Sequence, residues 1–106
     1  MDLRINEAIP VDQLAKLYEA VGWEAYTRDL KGLAQAVENS TLVVAAWAKD
    51  ALIGLIRCLS DDVSIVYLQD ILVHPDWQGQ GVGRRLTETC LERYTHVRQK
   101  MLLTDN

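Results

Sequence analysis

The sequence predicts one α/β domain built on a mixed sheet, with the element order β-α-α-β-β-β-α-β. Apolar residues recur at helical spacing in three segments, and near-continuous apolar runs typical of buried strands lie between the second and third of these. Near the end, a strand, a glycine-rich loop and a helix follow one another, which predicts a crossover and a parallel strand pair. With 106 residues, the chain can bury about two-thirds of its unfolded surface in a single core.

The first half of the chain is predicted to contain one short strand and two helices. Leu3 and Ile5 alternate with polar neighbours, which indicates a strand that ends before Pro10. The helices carry apolar residues at Leu14, Leu17, Tyr18 and Val21, and then at Leu30, Leu33, Ala34 and Val37. Thr27 is a suitable N-cap for the second helix, and residues 22–26 between the two helices are predicted to form a loop.

The second half is predicted to contain four strands and one helix. Apolar runs at 41–48 and 52–59, separated by a turn at 49–50, predict a hairpin of buried strands. Residues 64–73 form a third long run, and residues 101–103 form a short final strand. One face of the helix between them carries Val82, Leu86, Cys90, Leu91 and Tyr94.

Charge and cysteine content restrict the class of function. The chain has 15 acidic and 11 basic side chains, a net charge of −4, and no basic run, so broad binding to nucleic acid or to an anionic membrane is not expected. No stretch approaches the ~20 apolar residues of a membrane span. Cys58 and Cys90 follow neither a metal-ligand nor a disulfide-rich pattern. We therefore expect buried thiols, no metal, and a cytoplasmic protein.

The segment from Gln78 to Arg85 carries the strongest functional signal. Its glycines at 79, 81 and 83 lie between a predicted strand and a predicted helix. Glycine permits positive φ and close approach of a ligand, while a helix N-terminus presents free N–H groups and a partial positive charge. These features predict a phosphate-binding loop, although a tight connection between strand and helix would also explain the glycines. The spacing is not that of a dinucleotide fingerprint, because Arg84 occupies the last glycine position, and a Walker A Gly-Lys-Ser/Thr is missing.

The run Gln78-Gly79-Gln80-Gly81-Val82-Gly83 resembles the Gln/Arg-x-x-Gly-x-Gly/Ala signature of the GNAT superfamily of acetyl-CoA-dependent N-acetyltransferases. The flanking residues 72–76 and 84–86 resemble the same family. The resemblance implies a mixed, mostly antiparallel sheet flanked by helices, and acetyl-CoA as cosubstrate. It also implies a pyrophosphate held by main-chain N–H groups and a pantetheine arm lying along the strand that ends at Val73. The implied cofactor-binding residues are Leu72, Val73, Gln78, Gly79, Gln80, Gly81, Val82, Gly83, Arg84 and Asn106.

Other residues are candidates for catalysis and for binding of the acceptor. Asp70 is charged in an otherwise apolar strand, so it could accept a proton from an attacking ammonium group or could equally pair with a backbone N–H or an arginine. Tyr67 and Gln69 are weaker candidates on the same strand. Trp23 and Tyr26 lie where the resemblance places the acceptor pocket, although core packing would also explain these aromatic residues.

The sequence leaves three functions open. The leading hypothesis is transfer of acetyl from acetyl-CoA to a primary amine, on a small molecule or a peptide, by direct attack in a ternary complex. The second is a non-catalytic acyl-CoA-binding or regulatory module. It is motivated by the family's last helix and hairpin, which are expected beyond Asn106 and suggest a truncated domain. The third is an interaction domain whose last strand pairs with a second copy in a homodimer.

Overall fold

The structure is a computed structural model, and it describes residues 1–102. The predicted element order is confirmed, with one short helix added between the two predicted at the start. The elements in chain order are β1 (Asp2–Ile5), α1 (Val11–Ala20), α2 (Glu24–Thr27), α3 (Leu30–Glu38), β2 (Leu42–Ala48), β3 (Ala51–Ser60), β4 (Ile65–Val73), α4 (Val82–Glu92) and β5 (Gln99–Leu102). A single 3₁₀ turn, Pro75–Trp77, lies between β4 and the glycine-rich loop.

The five strands form one sheet in the order β1-β2-β3-β4-β5. The first three pairings are antiparallel, and β4 pairs with β5 in parallel, from Ile65 opposite Gln99 to Leu68 opposite Leu102. This confirms the predicted mixed, mostly antiparallel sheet. The parallel pair follows from the connection through α4, since two strands joined by a crossover helix run in the same direction.

The helices cover both faces of the sheet, which explains why β2 and β3 are almost continuously apolar. On one face, α4 contributes Leu86 and Cys90 to a core that includes Val44 and Ile56. On the other face, the side chains of α1 and α3 pack on the alternate residues of the same strands, such as Leu55. We refer to these as the α4 face and the α1 face.

The start of α3 differs from the prediction. Asp29 is its N-cap and accepts a hydrogen bond from the N–H of Gly32 at 2.9 Å. Thr27 is instead the last residue of α2, and its hydroxyl donates to the carbonyl of Glu24 at 3.2 Å. The prediction of Thr27 as cap was wrong, because part of the supposed loop at 22–26 forms its own helical turn and moves the next helix start forward by two residues.

A β-bulge in β4 changes which side chains face each helix layer. The register passes from Leu68 opposite Cys58 to Asp70 opposite Arg57, so Gln69 is an extra residue. Leu68 therefore packs on the α4 face, whereas Asp70 faces α1 and α2. Without the bulge, strict alternation would place both side chains on the same face.

Gly54 in β3 allows α4 to lie close to the sheet. A Cβ at this position would lie 3.0 Å from Cγ1 of Val82 and 3.1 Å from Cδ1 of Leu86. We expect Gly54→Val to lower the free energy of unfolding by about 1–3 kcal/mol, because α4 must move outward. Urea unfolding measures this. Ala51→Val, which changes an exposed residue of the same strand, is the control, and equal losses in the two variants would contradict the prediction.

Two further findings concern residues 1–102 alone. In this part of the chain, none of the helices has the length and apolar character needed to cross a membrane. Nor do any three His, Cys, Asp or Glu side chains there come together in a group that could hold a metal ion.

Candidate active site

The C-terminal half of β4 has an open main-chain edge. The N–H of His74 donates to the carbonyl of Ile53 at 2.7 Å, so by alternation the main-chain groups of Val73 and Ile71 point away from β3. On that side, the described part of β5 pairs with residues 65–68 of β4. Within the described residues, the N–H groups of Ile71 and Val73 thus face an edge that no strand occupies. An extended ligand that carries amide groups can hydrogen-bond to such an edge.

The glutamines of the predicted motif hold the loop after β4 in shape. The side-chain amide of Gln78 donates to the carbonyl of Val73 at 3.1 Å, which ties the loop to the end of the strand. The amide of Gln80 donates to the carbonyl of Asp76 at 3.2 Å. Both amide groups therefore hydrogen-bond to the main chain of this segment.

Two glycines of the loop adopt a backbone conformation that other residues rarely take. Gly79 has a φ of +79° and Gly81 a φ of +85°, and a Cβ at either would meet no heavy atom within 4 Å. Conformation, and not crowding, explains these two glycines. At Gly83 a Cβ would be 3.6 Å from Cγ2 of Val73, an ordinary contact. Gly83 therefore lies beside Val73, and the start of α4 is close to the end of β4.

The glycine-rich loop ends at Gly81, which is the N-cap of α4. The N–H of Arg85 donates to the carbonyl of Gly81 at 3.1 Å, which is the first intrahelical bond. The N–H groups of residues 82–84 precede it and have no partner inside the helix. Arg84 and Arg85 are exposed here. Free N–H groups, the helix dipole and two guanidinium groups create a local positive potential in a chain of net charge −4.

Asp70 lies at the centre of a buried polar network on the α1 face. It is 3% exposed, and its carboxylate accepts hydrogen bonds from the hydroxyls of Tyr18 and Tyr26, both at 3.0 Å, and from Nε of Arg57. Arg57 also donates to the hydroxyl oxygen of Tyr26 and to the hydroxyl oxygen of Ser40, each at 3.3 Å. The ion pair between Arg57 and Asp70 joins β3 to β4, and its hydrogen bonds connect both strands to α1, α2 and the residue Ser40 after α3.

The network stabilises fixed protonation states. Burial, with the nearby Asp70 carboxylate, raises the pKa of the Tyr18 phenol well above its usual value, so Tyr18 remains a donor. Burial alone would lower the pKa of Arg57, but its hydrogen bonds to Asp70 and Tyr26 outweigh that effect and raise it. The charges of Arg57 and Asp70 therefore compensate each other inside the fold.

The structure shows one of the two interpretations of Asp70, a partner for an arginine. Both oxygens of the carboxylate accept hydrogen bonds, and the paired cation is Arg57. A role for Asp70 in accepting a proton from an attacking ammonium group stays a prediction.

The structure places the predicted acceptor residues beside this network. The ring centroids of Trp23 and Tyr26 are 6.0 Å apart, and each contacts Tyr18 edge-on, at 5.8 Å and 5.0 Å. Trp23 and Tyr26 are only partly buried. The structure thus brings Trp23, Tyr26 and Asp70 together, although 44 positions separate the last two in sequence.

Sequence reasoning missed Arg57 and Tyr18 as members of the site. Arg57 is the one charged residue within the apolar run 52–59, just as Asp70 is within 65–73, and two such lone charges of opposite sign on neighbouring strands are a signal for pairing. Tyr18 belongs to the apolar stripe of α1, so its position in the sequence did not indicate a role in the site. Tyr67 and Gln69 lie partly buried on β4, outside the network. Asn106 lies outside the described residues.

The fold and this arrangement define an α/β protein in which a strand edge leads into a glycine-rich loop and a helix N-terminus. The family model for the GNAT acetyltransferase domain matches residues 12–104. The chain therefore belongs to the GNAT acetyltransferase family, as its loop motif predicted.

Individual relatives agree with this assignment. The N-acetyltransferase ycf52 of Gracilaria tenuistipitata var. liui is 32% identical over 109 residues, covering 97% of this chain and 59% of that protein. A solved GNAT-family acetyltransferase from Streptococcus pneumoniae is 32% identical, with a TM-score of 0.84 over 99% of this chain and 76% of that one. The fold is shared by an aminoglycoside 6'-N-acetyltransferase complexed with coenzyme A, at 21% identity, with a TM-score of 0.76 over 90% of this chain and 56% of that one. The chain spans about three-fifths of the first relative.

Proposed function

We propose that this protein binds acetyl-CoA along the open edge of β4 and transfers the acetyl group to a primary amine by direct attack in a ternary complex. The observation that carries the proposal is the continuity of the site. The edge at Ile71 and Val73, which no strand among residues 1–102 occupies, leads into the N-terminus of α4. Membership of the GNAT family supports it, as does the shared fold of a neighbour solved with coenzyme A.

The pantetheine arm matches the open edge in chemistry. It is an extended chain with two amide groups, so it can hydrogen-bond to a strand edge in the way an added strand does. In this proposal the N–H groups of Ile71 and Val73 and the carbonyl of Ile71 make these bonds, since the carbonyl of Val73 already accepts from Gln78. Leu72, also predicted from the motif, contributes differently: its main chain points toward β3 by alternation, and its side chain is buried on the α1 face.

The phosphates match the other end of the site. We assign the pyrophosphate to the main-chain N–H groups at residues 79–84, where the helix dipole favours an anion. Arg84 and Arg85 supply mobile positive charge for the remaining phosphate. Gln78 and Gln80 contribute by holding the loop in this shape through their bonds to Val73 and Asp76.

The reaction needs few chemical groups from the protein. The neutral amine attacks the thioester carbonyl carbon, and a main-chain N–H of β4 donates to the carbonyl oxygen as negative charge develops there. The carbon–sulfur bond then breaks, coenzyme A leaves as a thiolate, and the ammonium proton passes to solvent. Holding the two reactants together contributes most of the acceleration. Asp70 acts in this proposal as a positioning residue that holds Tyr26.

The acceptor reaches the acetyl group from the side of Trp23 and Tyr26. The hydroxyl of Tyr26 donates a hydrogen bond to Asp70, and Asp70 directly precedes Ile71 on the open edge. The aromatic rings of Trp23 and Tyr26 therefore border the place where the thioester would lie. We propose a primary amine of a small molecule or a peptide as acceptor. Buried, free Cys58 and Cys90 agree with a reducing compartment such as the cytoplasm.

Isothermal titration of the folded protein with acetyl-CoA tests the cosubstrate. We expect saturable binding with a dissociation constant in the micromolar range, since the site combines anion contacts with strand-like hydrogen bonds. Titration with adenosine 3′,5′-bisphosphate, which has no pantetheine arm, should give weaker binding through the loop alone. No heat with acetyl-CoA at high micromolar concentration, in a sample shown to be folded, would contradict the proposal.

A second measurement separates an enzyme from an acyl-CoA-binding module. The protein is incubated with acetyl-CoA and a panel of amines and amine-bearing peptides, and free thiol is detected as coenzyme A is released. Release above the amine-free background supports catalysis. Binding of acetyl-CoA without release on any acceptor would favour the non-catalytic module.

A further inference from the structure

Two cysteines lie together in the core between the sheet and α4, on the face of the sheet opposite the Asp70 network. Cys58 on β3 and Cys90 on α4 are both fully buried. Their Sγ atoms are 2.7 Å apart, although 32 positions separate the residues in sequence. Both thiols are free. A disulfide bond has a length of about 2.05 Å, so a covalent bond requires only a small movement of either side chain.

We propose that Cys58 and Cys90 form a redox-responsive covalent site that fastens α4 to the sheet. The oxidant is a peroxide. It converts one thiol to a sulfenic acid with release of water (or alcohol), and the second thiol then attacks that sulfur, releasing water and leaving the disulfide. Two thiols are thus oxidised by one peroxide. A dithiol reductant returns both thiols by exchange and is itself oxidised.

Either thiol can react first. The two sulfurs share one contact and are equally buried, so whichever thiol meets the peroxide becomes the sulfenic acid and the other resolves it. Because both sulfurs are buried, the oxidant reaches them through local opening of the core, and we expect a slow reaction.

The position of the pair gives the cross-link a structural effect. The closed loop from 58 to 90 contains all of β4, the glycine-rich loop and the first two turns of α4. Closing a loop of this length restricts the unfolded chain and stabilises the fold. Since the sulfurs are already in contact, the oxidised domain keeps its fold and gains stability. This inference does not depend on acetyl-CoA binding.

The test uses the whole chain treated with hydrogen peroxide, quenched, denatured and alkylated with N-ethylmaleimide. Mass spectrometry of the oxidised monomer should show no alkylation and the loss of the mass of two hydrogen atoms, while the untreated chain takes up two labels. The midpoint of thermal unfolding should rise by at least about 8 °C. A dithiol reductant should reverse both changes.

Cys58→Ala and Cys90→Ala are the matched controls. Each retains one thiol, so peroxide should give no internal cross-link and no rise in thermal stability, even if the variant is less stable at the start. Two thiols still open to alkylation after peroxide treatment of the folded wild type would overturn the proposal. So would cross-links found only between two chains.

Discussion

Gly81→Val is expected to raise the dissociation constant for acetyl-CoA at least about 100-fold, equivalent to about 2.8 kcal/mol, while the chain remains folded. Gly81 is the N-cap of α4 with a φ of +85°, which a β-branched residue cannot adopt without strain. Relief of that strain rotates the peptide groups at the helix start, and the N–H groups at 82–84 then no longer converge on a phosphate. Isothermal titration measures the loss, and circular dichroism monitors the fold.

Gly22→Val is a closely matched control for this prediction. Gly22 has a φ of +79° after the end of α1, and a Cβ there also meets no heavy atom within 4 Å. The backbone cost of valine is therefore similar at both positions, but Gly22 is not part of the phosphate-binding loop. Stability should fall to a similar extent in both variants, whereas affinity for acetyl-CoA should fall only at Gly81. Equal affinities in the two variants would rule out the loop as the phosphate site.

Arg57→Met is expected to lower the free energy of unfolding by about 3–5 kcal/mol, since it leaves the Asp70 carboxylate buried without its cation. Arg57 is 7% and Asp70 3% exposed, so water cannot replace the lost partner at low cost. Urea unfolding measures the change. Arg28→Met is the control, because the Arg28 side chain is 78% exposed and its ion pair with Glu24 contributes less than about 1 kcal/mol.

The double variant Arg57→Met with Asp70→Leu makes this test more specific. Replacing both partners of a buried ion pair with apolar groups costs less than removing one, so we expect the double variant to be at least about 2 kcal/mol more stable than the sum of the two single losses predicts. The hydroxyls of Tyr18 and Tyr26 lose their acceptor, which keeps recovery incomplete. Additive losses would show that the ion pair is not the dominant interaction.

Much of the fold was predictable because its signals are local. The apolar stripe of α4, the hairpin of β2 and β3, and the crossover that makes β5 parallel to β4 follow from residue spacing and chain connection. The cap of α3 was not predictable in the same way. Thr27 and Asp29 are both good N-cap residues, and the choice between them depends on α2, a single turn whose aromatic residues pack on α1.

Some features of the candidate site were likewise predictable from local sequence, and others depended on how the strands pack. The glycine-rich loop before α4 was predictable, because glycines at fixed offsets before a helix express a backbone requirement that the sequence carries directly. Phosphate binding by this loop stays a prediction. Residue spacing alone did not decide whether Asp70 pairs with Arg57, because the bulge at Gln69 sets the face that Asp70 takes. A bulge depends on how two strands fit together, and neither strand alone determines it.

The mixed α/β domain and its glycine-rich loop were determined by the sequence itself, through periodicity, glycine spacing and chain order. Only the tertiary structure decided three features: within residues 1–102 no strand pairs with the edge of β4 beyond Leu68, Asp70 is an ion-pair partner, and Cys58 contacts Cys90. The physical reason is common to all three. Each depends on distances between segments far apart in sequence, which are set by the packing of strands and helices, whereas local propensity acts within a few residues.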